Sequence, residues 1–432
     1  MPRYTLIGTE LSLFTGKIKT YLQWKGVPFE VLLPSDEVYR NVVIPGAGIA
    51  MIPVLLIHDD NAGYSLTSAK VLQDTKEIMD YFETLHPPGS NDSQLLPTPM
   101  HHPILPPTPT RAFAARLLEL LADEWLVTQA MYWRWHPPHL SRQDKFLAAE
   151  FGNSSTGGLA PFQAQQTLGA KRMARFAGFT PGLGVSETTS PALEWQFHEL
   201  LRLMERHFDS FPFLLGNEIS LADFAFWGCF GPHLGRDPVP SFLIKTEAPG
   251  VWEWIERVNG GHRWAGREVR AQDGDRRAYG MGKPHSQEVL HDTVPESTCR
   301  VLRFLLRDYA PVLAATVSRT VQYIDRKGGS EVSLPRSLGE QGFQLTHADG
   351  KVGGTRRVQT HAVWELDRII TRSMETDDQR LYLLEWVRSE CGEEVAGVLK
   401  EAISAWTGSG RRVRRDRATL IAVAEGSIGS KL

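Results

Sequence analysis

Ser12 and Thr15 stand in the segment Ser12-Leu13-Phe14-Thr15-Gly16-Lys17, where an apolar run gives way to a helical pattern. A turn of this kind offers a hydroxyl, free backbone N–H groups and the positive end of a helix dipole to a developing anion. Capping of the same helix is the ordinary use of Ser and Thr at such a place. A second group of interest is Trp125, Met131, Tyr132, Trp133, Trp135 and His136. Large aromatics this dense suit a wide apolar pocket, with Tyr132 and His136 able to donate hydrogen bonds to a carbonyl; packing in a core accounts for such aromatics as well. His101-His102 has no further ligand at metal spacing, so the expected metal set is none. Arg411, Arg412, Arg414, Arg415 and Arg417 form a basic cluster, read as a solvated edge strand before a phosphate site.

The elements that must position these residues follow from periodicity. Residues 4–8 read as a buried strand, 14–25 as a helix with Ile18, Tyr21 and Leu22 on one face, and 29–33 as a second strand. Gly26 and Pro28 close the helix. This β-α-β opening implies a parallel pair joined by a right-handed crossover. Residues 34–50 read as irregular, and Ile52 to Ile57 as a third strand. Tyr64 to Leu66 reads as a short returning strand, with helical spacing from Val71 through Phe82. Prolines crowd residues 87–110, which therefore form a linker. Residues 111–264 look all-helical, with a capping box at Ser220-Leu221-Ala222-Asp223. Residues 265–290 read as a second connector. The span 285–432 reads as helices over 291–325, 361–374 and 379–405, with a hairpin around Asp349-Gly350.

Bulk properties narrow the function classes. The chain has 432 residues, 42% hydrophobic and 22% charged, enough for several packed domains. A net charge of −3 argues against a nucleic-acid partner. Neither a secretory leader nor a membrane span is expected, so the cytoplasm is the default location and no membrane partner is expected. Cys229, Cys299 and Cys391 are far apart and odd in number, which disfavours disulfides and cysteine-ligated zinc.

Four features taken in order resemble the glutathione S-transferases. They are the Ser12–Lys17 segment, Ile52-Pro53-Val54-Leu55, Gln73-Asp74 opening the third helix, and the Ser220–Asp223 box. The resemblance covers residues 4–86 and 111–262 and leaves 285–432 as an addition. It implies a fold class of α/β thioredoxin-like N-terminal domain (1–86), all-α C-terminal domain (111–264), and an additional mostly helical domain (285–432) with a small β-hairpin. It implies glutathione as co-substrate, no metal, and a hydrophobic small-molecule electrophile as the other reactant. Ser12 then lowers the thiol pKa, with Thr15 the runner-up and Tyr4 a weaker candidate. Phe14, Arg40, Asn41, Ile52, Pro53, Gln73 and Asp74 join Ser12 in holding glutathione, with a cis Ile52-Pro53 bond and Gln73 and Asp74 at the γ-glutamyl end. Asp74 replaces the family's common serine and is also read as a plain helix cap. The turn lacks a cysteine, which disfavours thiol–disulfide exchange. The electrophile meets Trp125, Met131, Tyr132 and His136. The outcome is conjugation, or addition, rotation and elimination giving cis–trans isomerisation, with a specialised natural-product substrate preferred. The competing reading is a non-catalytic scaffold. A homodimer is expected by the same resemblance.

Overall fold

The computed structural model describes residues 3–59, 65–85, 103–264, 268–270, 276–278 and 292–426. His101-His102, most of the expected linker and most of residues 265–290 lie outside them. The chain divides into two compact units, Met1–Pro106 with Trp133–Gly178 and His207–Glu288, and Pro107–Tyr132 with Phe179–Arg206 and Val289–Leu432. This division cuts across the boundaries expected from sequence: the 111–264 segment contributes to both units.

The first unit opens with β1 (Tyr4–Ile7), α1 (Leu13–Trp24) and β2 (Glu30–Leu32). It continues with β3 (Val54–Ile57), β4 (Lys70–Gln73) and α2 (Thr75–Leu85). The sheet order is β2-β1-β3-β4, with β1 and β2 parallel and the other pairs antiparallel. This is the expected thioredoxin-like arrangement. Its core joins Ile7, Val54 and Leu56 of the sheet to Val42, Val43 and Ala47.

Two local expectations are corrected. Residues 34–50 are helical where an irregular loop was expected: Asp36–Val38, a π-helical turn Tyr39–Val43, and Ile44–Ala47. Ser35 caps the start by accepting from the Val38 N–H at 3.3 Å. Pro45 falls in the first turn of its segment, where a missing N–H costs nothing, and Gly48 ends the run at φ 77°. The returning strand is Lys70–Gln73, not residues 64–66, and Val71 and Leu72 lie on it before the helix begins. Their apolar spacing fits strand and helix alike over so short a run; Tyr64 lies outside the described residues.

The remaining helices include α3 (Pro109–Leu121), α4 (Val127–Trp135), α5 (Asp144–Thr156) and α6 (Phe162–Ala177). Then follow α7 (Ser190–Phe208), α8 (Leu221–Cys229), α9 (Pro238–Glu247) and α10 (Pro249–Trp264). A π-helical turn, Ala122–Leu126, joins α3 to α4. In the first unit α1 packs against α8, and a Cβ on Gly16 would come within 2.3 Å of Pro232. Tyr21 of α1 bridges Phe82 and Phe224, with ring centroids 6.4 and 5.7 Å away. The capping box forms at Ser220, and the buried Asp223 carboxylate also accepts from the Leu214 N–H (2.9 Å) and the Trp254 indole (3.0 Å).

The second unit is built on the long helix α11 (Glu296–Lys327). Strand β5 (Glu331–Leu334), the hairpin β6 (Ser337–His347) and β7 (Gly350–Gln359), and helices α12 (His361–Ser373), α13 (Asp377–Cys391) and α14 (Glu393–Gly408) follow. The expected helix 379–405 is two helices, broken at Gly392, whose φ of 97° favours glycine. Asp308 of α11 anchors the hairpin by accepting from the Thr346 N–H and hydroxyl at 2.8 and 2.7 Å. Strands β8 (Arg411–Asp416) and β9 (Thr419–Ala424) complete a sheet of order β8-β9-β5. Arg411, Arg412, Arg414 and Arg415 therefore lie on an edge strand, with Arg417 in the turn after it, and Arg412 pairs with Asp367 at 3.0 Å.

Candidate active site

The register of the first sheet decides which loops meet. Ile7 pairs with Leu32 and with Val54, and Val54 pairs with Gln73. Leu32, Ile7, Val54 and Gln73 therefore form one row across the end of the sheet. The loop after β1 carries Ser12, the residues before β3 are Ile52-Pro53, and Asp74 follows β4. All leave the same edge. Neighbouring strands are about 4.8 Å apart, so the β1–β3–β4 edge spans roughly 10 Å. An extended tripeptide, at about 3.3–3.6 Å per residue, has the same length.

Ser12 is the N-cap of α1. Its Oγ accepts from the Thr15 N–H at 3.2 Å. That bond uses an acceptor lone pair and leaves the hydroxyl proton available to donate. Capping and donation to an anion are thus compatible in one side chain. Thr15 differs. It is 2% exposed, and its Oγ1 is buried without a hydrogen-bond partner among the described residues. A Cβ on Gly8 would lie 2.6 Å from that oxygen, so the strand end covers it. Ser12 and Phe14 are only half-buried.

Ile52-Pro53 is cis, as the resemblance implied. Asp74 opens the helix as its cap, but Gln73 does not. Gln73 ends β4 and α2 begins at Thr75, which is buried. Asp74, between them, has φ 89°, a conformation that Asp tolerates better than most residues. Its Oδ1 accepts from the Lys76 N–H at 2.9 Å, so it caps α2. Arg40 and Asn41 lie exposed on the π-helical turn after β2, and the Arg40 Nε donates to the Asp36 carbonyl at 3.3 Å. Tyr4 is buried within β1, its ring 5.1 Å from Phe82.

Sequence reading missed what holds the Ser12 turn. Arg134, 1% exposed, donates from Nη1 to the Leu11 carbonyl at 2.9 Å. Its Nη2 donates to the Pro232 carbonyl at 2.7 Å. Nε and Nη2 grip Asp237 at 2.6 and 2.8 Å, a bidentate pair. His233 Nε2 lies 2.6 Å from Nη1. Burial pushes the Asp237 carboxyl up from its ordinary value, and the guanidinium opposes that. The signal in the sequence was a charge among Trp133, Arg134 and Trp135; its partners, a hundred residues away, leave no local trace.

The proposed electrophile contacts divide between the units. Trp125, Met131 and Tyr132 belong to the second and are buried. Trp125 lies 5.5 Å from the Tyr309 ring and 5.0 Å from the Arg356 guanidinium. The Tyr132 hydroxyl donates to Glu194 at 2.8 Å, and burial with that acid pushes its pKa far up. His136 belongs to the first unit and is half-buried at the start of the short helix Pro137–Leu140.

Residues 6–91 match the family model described as glutathione S-transferase, N-terminal domain, and residues 192–257 match that for the C-terminal domain. Those two stretches of the chain therefore resemble the N- and C-terminal domains of the glutathione S-transferases. Similar solved structures include a glutathione S-transferase from Methylobacterium radiotolerans in complex with glutathione sulfonate, 20% identical, covering 68% of this chain and all of that one, with a TM-score of 0.34. Another is a glutathione S-transferase from Xanthobacter autotrophicus, 17% identical, covering 59% and 92%, TM-score 0.32. A β-etherase from Sphingobium is 16% identical over 60% and 95%, TM-score 0.35. A search of curated proteins finds no match. The matched domains support glutathione-dependent catalysis as the general chemistry. No helix among the described residues is long and apolar enough to cross a membrane, and Cys229, Cys299 and Cys391 are buried.

Proposed function

We propose that the protein is a glutathione-dependent enzyme in which the Ser12 hydroxyl donates to the glutathione sulfur and holds it as a thiolate. The observation that carries this is the shared strand-end row, which supports bringing Ser12, Ile52-Pro53 and Asp74 to one tripeptide-sized edge. The cysteinyl backbone would meet Ile52, and the γ-glutamyl ammonium would meet Asp74. A free thiol has a pKa of about 8.5. One hydroxyl donor and the N-terminus of α1 are asked to lower it by about two units, or about 2.7 kcal/mol.

The thiolate then forms a C–S bond with an electrophilic carbon of a hydrophobic substrate. In conjugation, the adjacent atom takes a proton and the adduct leaves. In isomerisation, the former double bond rotates in the adduct and the thiolate is expelled unchanged. An enone or conjugated polyene suits both. The size of the second unit favours a specialised substrate.

The test is calorimetric titration of glutathione into the wild type and Ser12→Ala, with ultraviolet thiolate absorbance followed in parallel. Binding by both, with a thiolate at neutral pH only in the wild type, is expected. Binding by neither would overturn the reading and leave a scaffold of this fold.

A further inference from the structure

A second site lies in the second unit and does not depend on glutathione use. His361 and Glu365 stand four residues apart at the start of α12, one turn of helix, so their side chains share a face. Glu124 approaches from the π-helical turn Ala122–Leu126. Such a turn re-phases a helix by one residue and recurs at functional sites. The His361 Nδ1 lies 2.8 Å from Glu124 Oε1 and 3.2 Å from Glu365 Oε1. One donor atom from each of the three falls within 4.8 Å of the others.

From these contacts we infer that Glu124, His361 and Glu365 bind a divalent transition-metal ion, zinc or manganese. Four observations support it. The donor set, one imidazole nitrogen and two carboxylates, is one that zinc and manganese accept and that lacks the sulfur preferred by softer ions. Metal–ligand bonds of about 2.0–2.2 Å put neighbouring donors roughly 3 Å apart, close to the separations present. Glu124 and Glu365 have side chains only 6% and 1% exposed, so a cation between them would be shielded from water and bound more strongly. His361, at 37%, leaves a way in and room for water on the open side of the ion.

The alternative partner is a proton on His361. A protonated Nδ1 carries one hydrogen, yet it faces two carboxylates at once. A metal ion at that point binds all three groups through separate bonds. The guanidinium of the nearby Arg356 offsets part of the Glu124 charge but is not one of the three converging donors. Its Nη2 donates to the Glu124 backbone carbonyl at 3.2 Å, while its guanidinium lies over Trp125 and Phe343 at 5.0 and 5.9 Å.

The experiment is titration of Zn²⁺ into chelator-treated full-length protein, wild type, His361→Ala and Glu365→Gln, with thermal midpoints recorded. One equivalent per chain is expected, with a raised midpoint in the wild type and at least tenfold weaker binding in each variant. Absence of saturable binding, or binding unchanged in the variants, would overturn the assignment. Should either variant fail to fold, pulsed electron paramagnetic resonance of Mn²⁺ in the wild type decides. Coupling to one imidazole nitrogen is expected, and none, or two or more, refutes the site.

Discussion

Two buried charged clusters, one in each unit, differ in how their charge is balanced. Arg134 and Asp237 match each other: guanidinium donors meet a carboxylate and two backbone carbonyls. Glu124, His361 and Glu365 bring mainly acceptors to one point. The first cluster is complete within the protein and fixes a backbone turn. The second, by the inference above, closes around a metal cation. Burial alone therefore does not separate structure from ligand binding; the count of donors against acceptors does.

The strongest way to break the comparison is to unbalance the first cluster. Arg134→Met keeps bulk but strands Asp237 in the interior. Removing one partner of a buried pair costs about 3–5 kcal/mol. We expect a loss of that order in the denaturant-derived folding free energy. In the fraction that remains folded, the glutathione thiolate absorbance should weaken, because the Leu11 carbonyl loses its anchor one residue before Ser12. A variant as stable as the wild type would show that the pair is only space-filling and that the turn holds itself.

A buried histidine of the first unit sharpens the point at somewhat smaller effect. His207 is fully buried, and its Nε2 sits 2.9 Å from the Phe213 carbonyl. Burial lowers its pKa to about 4 from 6.5, and the carbonyl bond offsets only part of that. The folded value lies below the unfolded one. Its stabilising contribution is therefore complete above pH 6.5 and is lost as pH falls toward 4. The window corresponds to about 3 kcal/mol. His207→Gln keeps a donor for Phe213 and cannot take up that proton. Its thermal midpoint should fall less than that of the wild type between pH 7 and 4.5. Identical profiles would refute the assignment.

Much of the first unit was legible because its signals are local. Strand runs, Gly26, the cap at Ser12 and the box at Ser220 each act over a few residues. The errors came where local signals tie. Val71 and Leu72 fit two periodicities, and Pro45 reads as a breaker although it sits in a first turn. Gln73 was placed at the helix start although it ends β4, because the positive φ of Asp74 that separates strand from helix leaves no mark on residue type. Arg134 with Asp237, and Glu124 with His361, were illegible for another reason. Their partners are 103 and 237 residues apart, and only the folded chain pairs them.

The smallest expected effect discriminates the two hydroxyls of the α1 turn. Ser12 caps the helix and keeps a proton to donate, whereas the Thr15 oxygen is buried without a partner among the described residues. A buried polar atom that makes no bond contributes nothing favourable, so replacing it with a methyl group is neutral or slightly stabilising, by up to about 1 kcal/mol. Thr15→Val also keeps β-branching, and hence the side-chain stiffness the helix already accommodates. The variant should unfold at or slightly above the wild-type denaturant midpoint and give an unchanged glutathione thiolate signal, beside the loss expected for Ser12→Ala. Loss of the thiolate in Thr15→Val, with stability intact, would transfer the activating role from Ser12 to Thr15. It would also mean that the turn opens far enough to uncover an oxygen now covered by Gly8.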